Sequence, residues 1–184
     1  MGGGVILVAP KTQINISPKA HVLIDGILEI NKPWGKRQVL SAYFDVDEEA
    51  ELCVKGKFSF FSGCRISVNK KAYLLLNNGF MNENGSIACF ERIEIGDQVI
   101  ISDDVIIRDS DNHSIVREDY SKTRPIQIGN HVWIGLRSTI LKGVHIEDGS
   151  VIAAGALVNK NVRSNVIVAG VPCKVIREEM KWER

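Results

Sequence analysis

The stretch IGNHVWIGLRSTILKGVHIEDGSVIAAGALVNKNVR, residues 128–163, divides into six hexads without a gap. Its first positions are Ile128, Ile134, Ile140, Ile146, Ile152 and Val158. Its fifth are Val132, Ser138, Val144, Ser150, Ala156 and Val162, all small or β-branched. A period of six excludes an amphipathic α-helix, whose apolar stripe recurs at three and four. Short β-branched strands with a turn every six residues instead build a three-sided solenoid. With three hexads per coil, each first-position aliphatic points inward and stacks on the residue 18 further along. Ile128 is thus predicted to lie under Ile146, and Ile134 under Ile152. Neighbouring coils then pair as parallel strands about 4.8 Å apart and bury one continuous aliphatic column.

Working outward, IGDQVI from Ile95 and ISDDVI from Ile101 keep the same pattern, and Ile107 follows. Farther upstream the period blurs. Segments such as LCV (52–54), RISV (65–68) and YLLL (73–76), broken by Gly56, Gly63, Gly79 and Gly85, read as strands and turns of irregular coils. The column has two ends to cover. Residues 1–50 are the expected N-terminal cap, 51–172 the β-helix proper, and 173–184 a short C-terminal helix after Pro172.

Bulk properties narrow the function. The 184 residues suffice for one domain with a real core. With 23 basic and 22 acidic side chains the net charge is +1, which supplies no global field for nucleic acid or anionic lipid. Cys53, Cys64, Cys89 and Cys173 form no C-x-x-C pair and read as ordinary thiols of a reduced, cytoplasmic chain. The apolar run from Val5 to Ala9 is too short for a signal segment or a membrane span. The four histidines, at 21, 113, 131 and 145, offer no close pair for a zinc site of the three-His type, and no metal is expected.

Ile107 and Ile128 are 21 residues apart, which is not a multiple of six. Something leaves the solenoid between them, namely a polar loop over 109–125. Loops grafted on a rigid scaffold commonly carry function, and this one contains Asp109, Asp111 and His113 in DSDNHSI (109–115).

Taken with IGNHVWIG (128–135), VIAAGALVNK (151–160) and AGVPCKVIR (169–177), this motif resembles the hexapeptide-repeat acetyltransferases, in particular the sugar and polysaccharide O-acetyltransferase branch. The resemblance covers about residues 93–177. It implies an all-β, left-handed parallel β-helix that binds acetyl-CoA in clefts between the prisms of a homotrimer. It further implies a sugar or glycan hydroxyl as acceptor, with His113 as general base. A base titrating near neutrality suits the poorly acidic sugar hydroxyl. Asp111 or Asp109 would orient the imidazole or touch the acceptor; the residues alone do not separate them. By the same resemblance Trp133 and Gly135 flank the pantetheine arm, Ala153 and Ala154 offer it backbone groups, and Asn159 and Lys160 follow. Lys174 and Arg177 would meet the nucleotide phosphates. Independently, Lys160, Arg163, Lys174 and Arg177 form a basic group beside the last coil, as phosphate binding requires. One departure is Leu136, where galactoside-specific relatives carry Ser. Two other functions use the same repeats: N-acetylation of an amino sugar, and a noncatalytic scaffold.

Overall fold

The computed structural model describes residues 3–116 and 120–183, and every regular element in them is a β-strand. Three sheets of nine, seven and six strands, parallel except for the last strand of the nine, form the sides of a prism, and the chain visits them in rotation. This is the left-handed parallel β-helix expected, and the stacking is the one the hexads dictate: Ile128 pairs with Ile146, Ile134 with Ile152 and Ile140 with Val158. All six first-position residues are buried, as are the fifth-position residues. Buried serines at that fifth position satisfy their hydroxyls locally: Ser138 Oγ lies 2.7 Å from the Gly135 carbonyl, and Ser150 Oγ donates to Glu147 O at 2.6 Å.

A corner rule underlies the period. The fourth residue of five successive hexads (His131, Arg137, Gly143, Gly149, Gly155) has a positive φ, between 53° and 74°. Glycine takes that conformation freely; His131 and Arg137 adopt it at a cost that the coils on either side offset.

Upstream the coils are longer. Leu76 pairs with Ile95, 19 residues on; Phe60 with Met81, 21 on; Phe44 with Ile66, 22 on. Extra corner residues, and not any lapse in the strands, blur the repeat. Wider coils need larger filling, and here Phe44, Phe58 and Phe60 replace the Ile and Val of the later coils, with ring centroids 5.0–6.1 Å apart.

The residues read as the N-terminal cap take up the same three sheets. The strands Val5–Val8, Thr12–Ile16 and His21–Ile24 form a first coil, paired with Ile27–Lys32, Ala42–Val46 and Glu51–Val54. Between Lys32 and Ala42 the chain makes an excursion held by buried Asn31. Its side-chain amide donates to Pro10 O (2.8 Å) and Leu40 O (3.0 Å), while its oxygen accepts from the Gly63 amide (3.1 Å).

The expected C-terminal helix is not formed. Gly170, with φ 99°, reverses the chain, and Lys174–Arg177 lies antiparallel on Ile167–Ala169, closing the nine-stranded sheet. An unpaired sheet edge offers backbone partners along its whole length, and the β-branched Val175 and Ile176 suit a strand better than a helix.

Candidate active site

The long loop springs from the corner between the seven- and six-stranded sheets, after Ile106–Arg108 and before Ile126–Ile128. It leaves and returns through one narrow base: Ser110 bridges Thr123 antiparallel, the Asp111 amide donates to Lys122 O (3.0 Å), and the Arg124 amide to Asp109 O (3.1 Å). Of the expected loop over 109–125, residues 117–119 lie outside the described residues.

The two loop aspartates do different things. Asp109 is fully buried and turns back to the preceding coil, accepting hydrogen bonds from the amides of Phe90 (2.7 Å), Glu91 (2.8 Å) and Arg92 (2.8 Å). Burial pushes its carboxyl above the usual range, and those amides pull it partly back. Asp111 faces outward, where the Lys142 ammonium (2.5 Å) and the Tyr120 hydroxyl (2.7 Å) hold its carboxyl below the usual range. The Tyr120 hydroxyl is also 2.8 Å from the His113 carbonyl, and Lys142 Nζ lies 4.3 Å from the Tyr120 ring centroid. His113 is exposed, and among the described residues its imidazole has no hydrogen-bond partner. Neither aspartate therefore orients it within the chain.

The residues expected along the pantetheine arm gather elsewhere. Trp133 stands on the outer face of the nine-stranded sheet, 42 % exposed, its indole N–H donating to Ser102 Oγ at 3.3 Å. Gly135, Ala153 and Ala154 sit at the next corner, between the nine- and seven-stranded sheets. A Cβ on Gly135 would meet Ala154 N and Ile152 O at 2.7 Å, so only glycine lets these coils approach. Lys174, paired with Ala169, ends the same corner, and Arg177 lies three residues further along that strand; both are exposed. Asn159 and Lys160, in contrast, stand at the loop's own corner, one coil beyond Leu141 and Lys142. Arg163 is committed to Glu178 at 2.8 Å, which removes one member from the free basic group. The structure thus divides the predicted residues between two edges of the prism.

The repeats and these relatives agree. Residues 125–160 match the family model described as the hexapeptide repeat of succinyl-transferase. Galactoside O-acetyltransferase of Escherichia coli (strain K12) is 41% identical over 104 residues, 55% of this chain and 51% of that protein. Over its repeats the chain is thus similar to the hexapeptide-repeat acetyltransferases. A putative acetyltransferase of Saccharomyces cerevisiae is 52% identical over 54 residues, 29% of this chain and 28% of that one. The chain spans about half the length, or less, of the curated relatives it matches. Among solved structures, a galactoside acetyltransferase in complex with coenzyme A is 31% identical, with TM-score 0.50 over 83% of this chain and 64% of that one. The polysialic acid O-acetyltransferase OatWY shares the fold, with TM-score 0.71 at 24% identity over 98% of this chain and 91% of that one.

Against that family pattern, several site-lining residues carried no readable signal. Tyr120 and Lys142 anchor the loop base, yet in the sequence they are a loop tyrosine and a corner lysine. Trp182, from the tail, stacks on His131 with ring centroids 4.0 Å apart and planes 9° off parallel. It donates its indole N–H to His131 O (3.2 Å), while its own carbonyl lies 2.9 Å from His131 Nε2. Trp182 also lies 6.0 Å from Trp133, a proximity created only by the return of the tail.

Proposed function

We propose that this chain is an acetyl-CoA-dependent O-acetyltransferase acting on a sugar or glycan hydroxyl in the cytoplasm, as a homotrimer. The observation that carries this reading is the separation of the two half-sites. A loop histidine whose imidazole has no hydrogen-bond partner among the described residues stands on one edge of the prism, and a corner of small residues ending at Lys174 runs along another. One copy does not bring them together; two prisms side by side, the loop of one facing the corner of its neighbour, would.

The corner suits the cosubstrate. Ala154 and Gly155 are exposed, and nothing lies within 4 Å of the space above Gly155, so a thin amide-bearing arm meets backbone and no bulk. Trp133 would wall that arm, and Lys174 with Arg177 would supply charge for phosphates. Leu136, 45 % exposed, gives apolar contact in place of a hydroxyl. Asn159 and Lys160, at the loop's own corner, would approach the nucleotide from the partner's side of the cleft.

In the reaction, the His113 imidazole takes the proton of the acceptor hydroxyl as its oxygen attacks the thioester carbonyl. The C–S bond then breaks, the imidazolium returns the proton to the departing thiolate, and the products are an O-acetyl sugar and coenzyme A. The developing oxyanion requires a donor, for which a backbone N–H at the corner serves. Asp111 acts indirectly: with Lys142 and Tyr120 it fixes the loop that carries the base. Thermal unfolding with and without saturating acetyl-CoA tests the cosubstrate first. A ligand at a hundred times its Kd stabilises by about 2.7 kcal/mol, so a clear rise in Tm is expected, and no rise from an intact oligomer favours the scaffold instead.

A further inference from the structure

The outer face of the nine-stranded sheet carries an aligned column: Glu29 pairs with Ser59, Ser59 with Phe80, Phe80 with Ile100, and Ile100 with Trp133. Over the rungs from Ser59 to Ile100, between Glu29 and Trp133, lies a cleft of about 620 Å³, large enough for one or two sugar rings. Phe61 and Phe80 form an aromatic wall, their centroids 6.0 Å apart, and Trp182 lines the end nearest Trp133. Flat aromatic rings in a cleft with polar rims suit a ligand that has apolar faces and hydroxyl edges.

The far end is charged. Glu29 Oε2 accepts from Lys32 Nζ (2.8 Å) and Ser59 Oγ (2.5 Å), and Lys57 Nζ lies 3.5 Å away. Two ammonium groups meet one carboxylate, which leaves the cleft one positive charge in excess. The Lys57 side chain is 54% exposed and available to a ligand, whereas Glu29 is only 14% exposed and stays occupied. Its carboxyl is raised by burial, but the Lys32 and Ser59 hydrogen bonds overcome this and hold it ionised.

We propose that this cleft is the acceptor site and that it takes a sugar carrying a negative charge, its anionic group on Lys57 and Lys32 and its ring on Phe61 and Phe80. The inference rests on the transferase reading, because only that reading puts an acetyl donor beside Trp133, one rung from the cleft. A carboxylate and a phosphate ester present the same chemistry to two lysines, so both belong in the test.

Three probes are titrated into the wild-type protein with coenzyme A present: an oligogalacturonate, glucose 6-phosphate and neutral maltotriose. At least one anionic probe is expected to bind about tenfold or more tightly than maltotriose, with a preference that shrinks as salt rises. Lys57→Ala is expected to remove that preference and leave coenzyme A affinity unchanged. Equal binding of maltotriose, an unaltered preference in the variant, or coenzyme A binding without binding of any probe overturns the proposal. Binding of no probe, together with a Lys57→Ala shift in oligomeric state, overturns it in favour of a second copy covering the cleft. If coenzyme A itself fails to bind wild type, the transferase reading falls, and the acceptor role falls with it.

Discussion

The Asp109 carboxylate serves three consecutive amides, from Phe90 to Arg92, in a fully buried corner. Asp109→Ala would leave those donors unpaired, and a loss of about 2–3 kcal/mol is expected in denaturant unfolding, with turnover falling in parallel. Asp111→Asn, on an exposed site, should hardly move the midpoint. Its effect belongs to pH. The folded Asp111 titrates below its unfolded value of about 3.9, so its contribution is complete above that value and is lost as pH falls through the folded one. Amide exchange at 110–112 and 122–124 should therefore stay slow down to the ordinary carboxylate range and quicken below it; in Asp111→Asn that acid step should be absent. His113→Ala should reduce kcat by about a hundredfold or more with folding and coenzyme A affinity intact, and a loss of only a few-fold would put the base elsewhere. DSDNHSI marks the loop but cannot divide these roles, because which aspartate turns inward depends on a corner 17 to 19 residues earlier in the chain.

At the scale of elements, one corner carries a ladder of side chains. Lys57 N donates to Asn78 Oδ1 (2.8 Å), Asn78 N to Asp97 Oδ1 (3.2 Å), Asp97 N to Asn130 Oδ1 (2.9 Å), and Asn130 N to Asp148 Oδ1 (2.6 Å). Each rung closes an amide that the sheet ladder leaves open at the turn. Asn130→Ala should cost about 1 kcal/mol, and Ile134→Ala, a core rung, about 2–5 kcal/mol; chemical denaturation separates the two. From residue 95 to residue 158, outside the 109–125 loop, the strands are legible because every corner there has the same length. Before residue 95 the strands persist but corner lengths vary, and a period cannot be counted through them. The tail was misread for a related reason: KVIREEMKWER alone has the composition of an amphipathic helix, and only the open edge at Ile167–Ala169 makes it a strand.

For the whole molecule, each coil touches only its neighbours, so stability accumulates along the axis. The two ends differ. Lys174–Arg177 and Trp182 close one, whereas Val5, Ile6, Leu7 and Val8 at the other are 41–49 % exposed. The sharpest whole-molecule prediction concerns the divided site. His113→Ala and Ala154→Trp subunits, each inactive as pure assemblies, should recover activity when refolded together, since some clefts then combine an intact loop with an intact corner. Mixed oligomers that remain inactive would place the complete site within one chain.

The loop's closed base has a consequence of another kind. Residues 110 and 123 face each other as bridge partners, so whatever lies between them begins and ends at one point on the prism. Paired residues on either side of it, such as Ile95 and Ile128, are 33 positions apart and still in register. The segment can accordingly lengthen, shorten or be exchanged without disturbing a single rung, which lets a lineage change its chemistry while inheriting its scaffold intact.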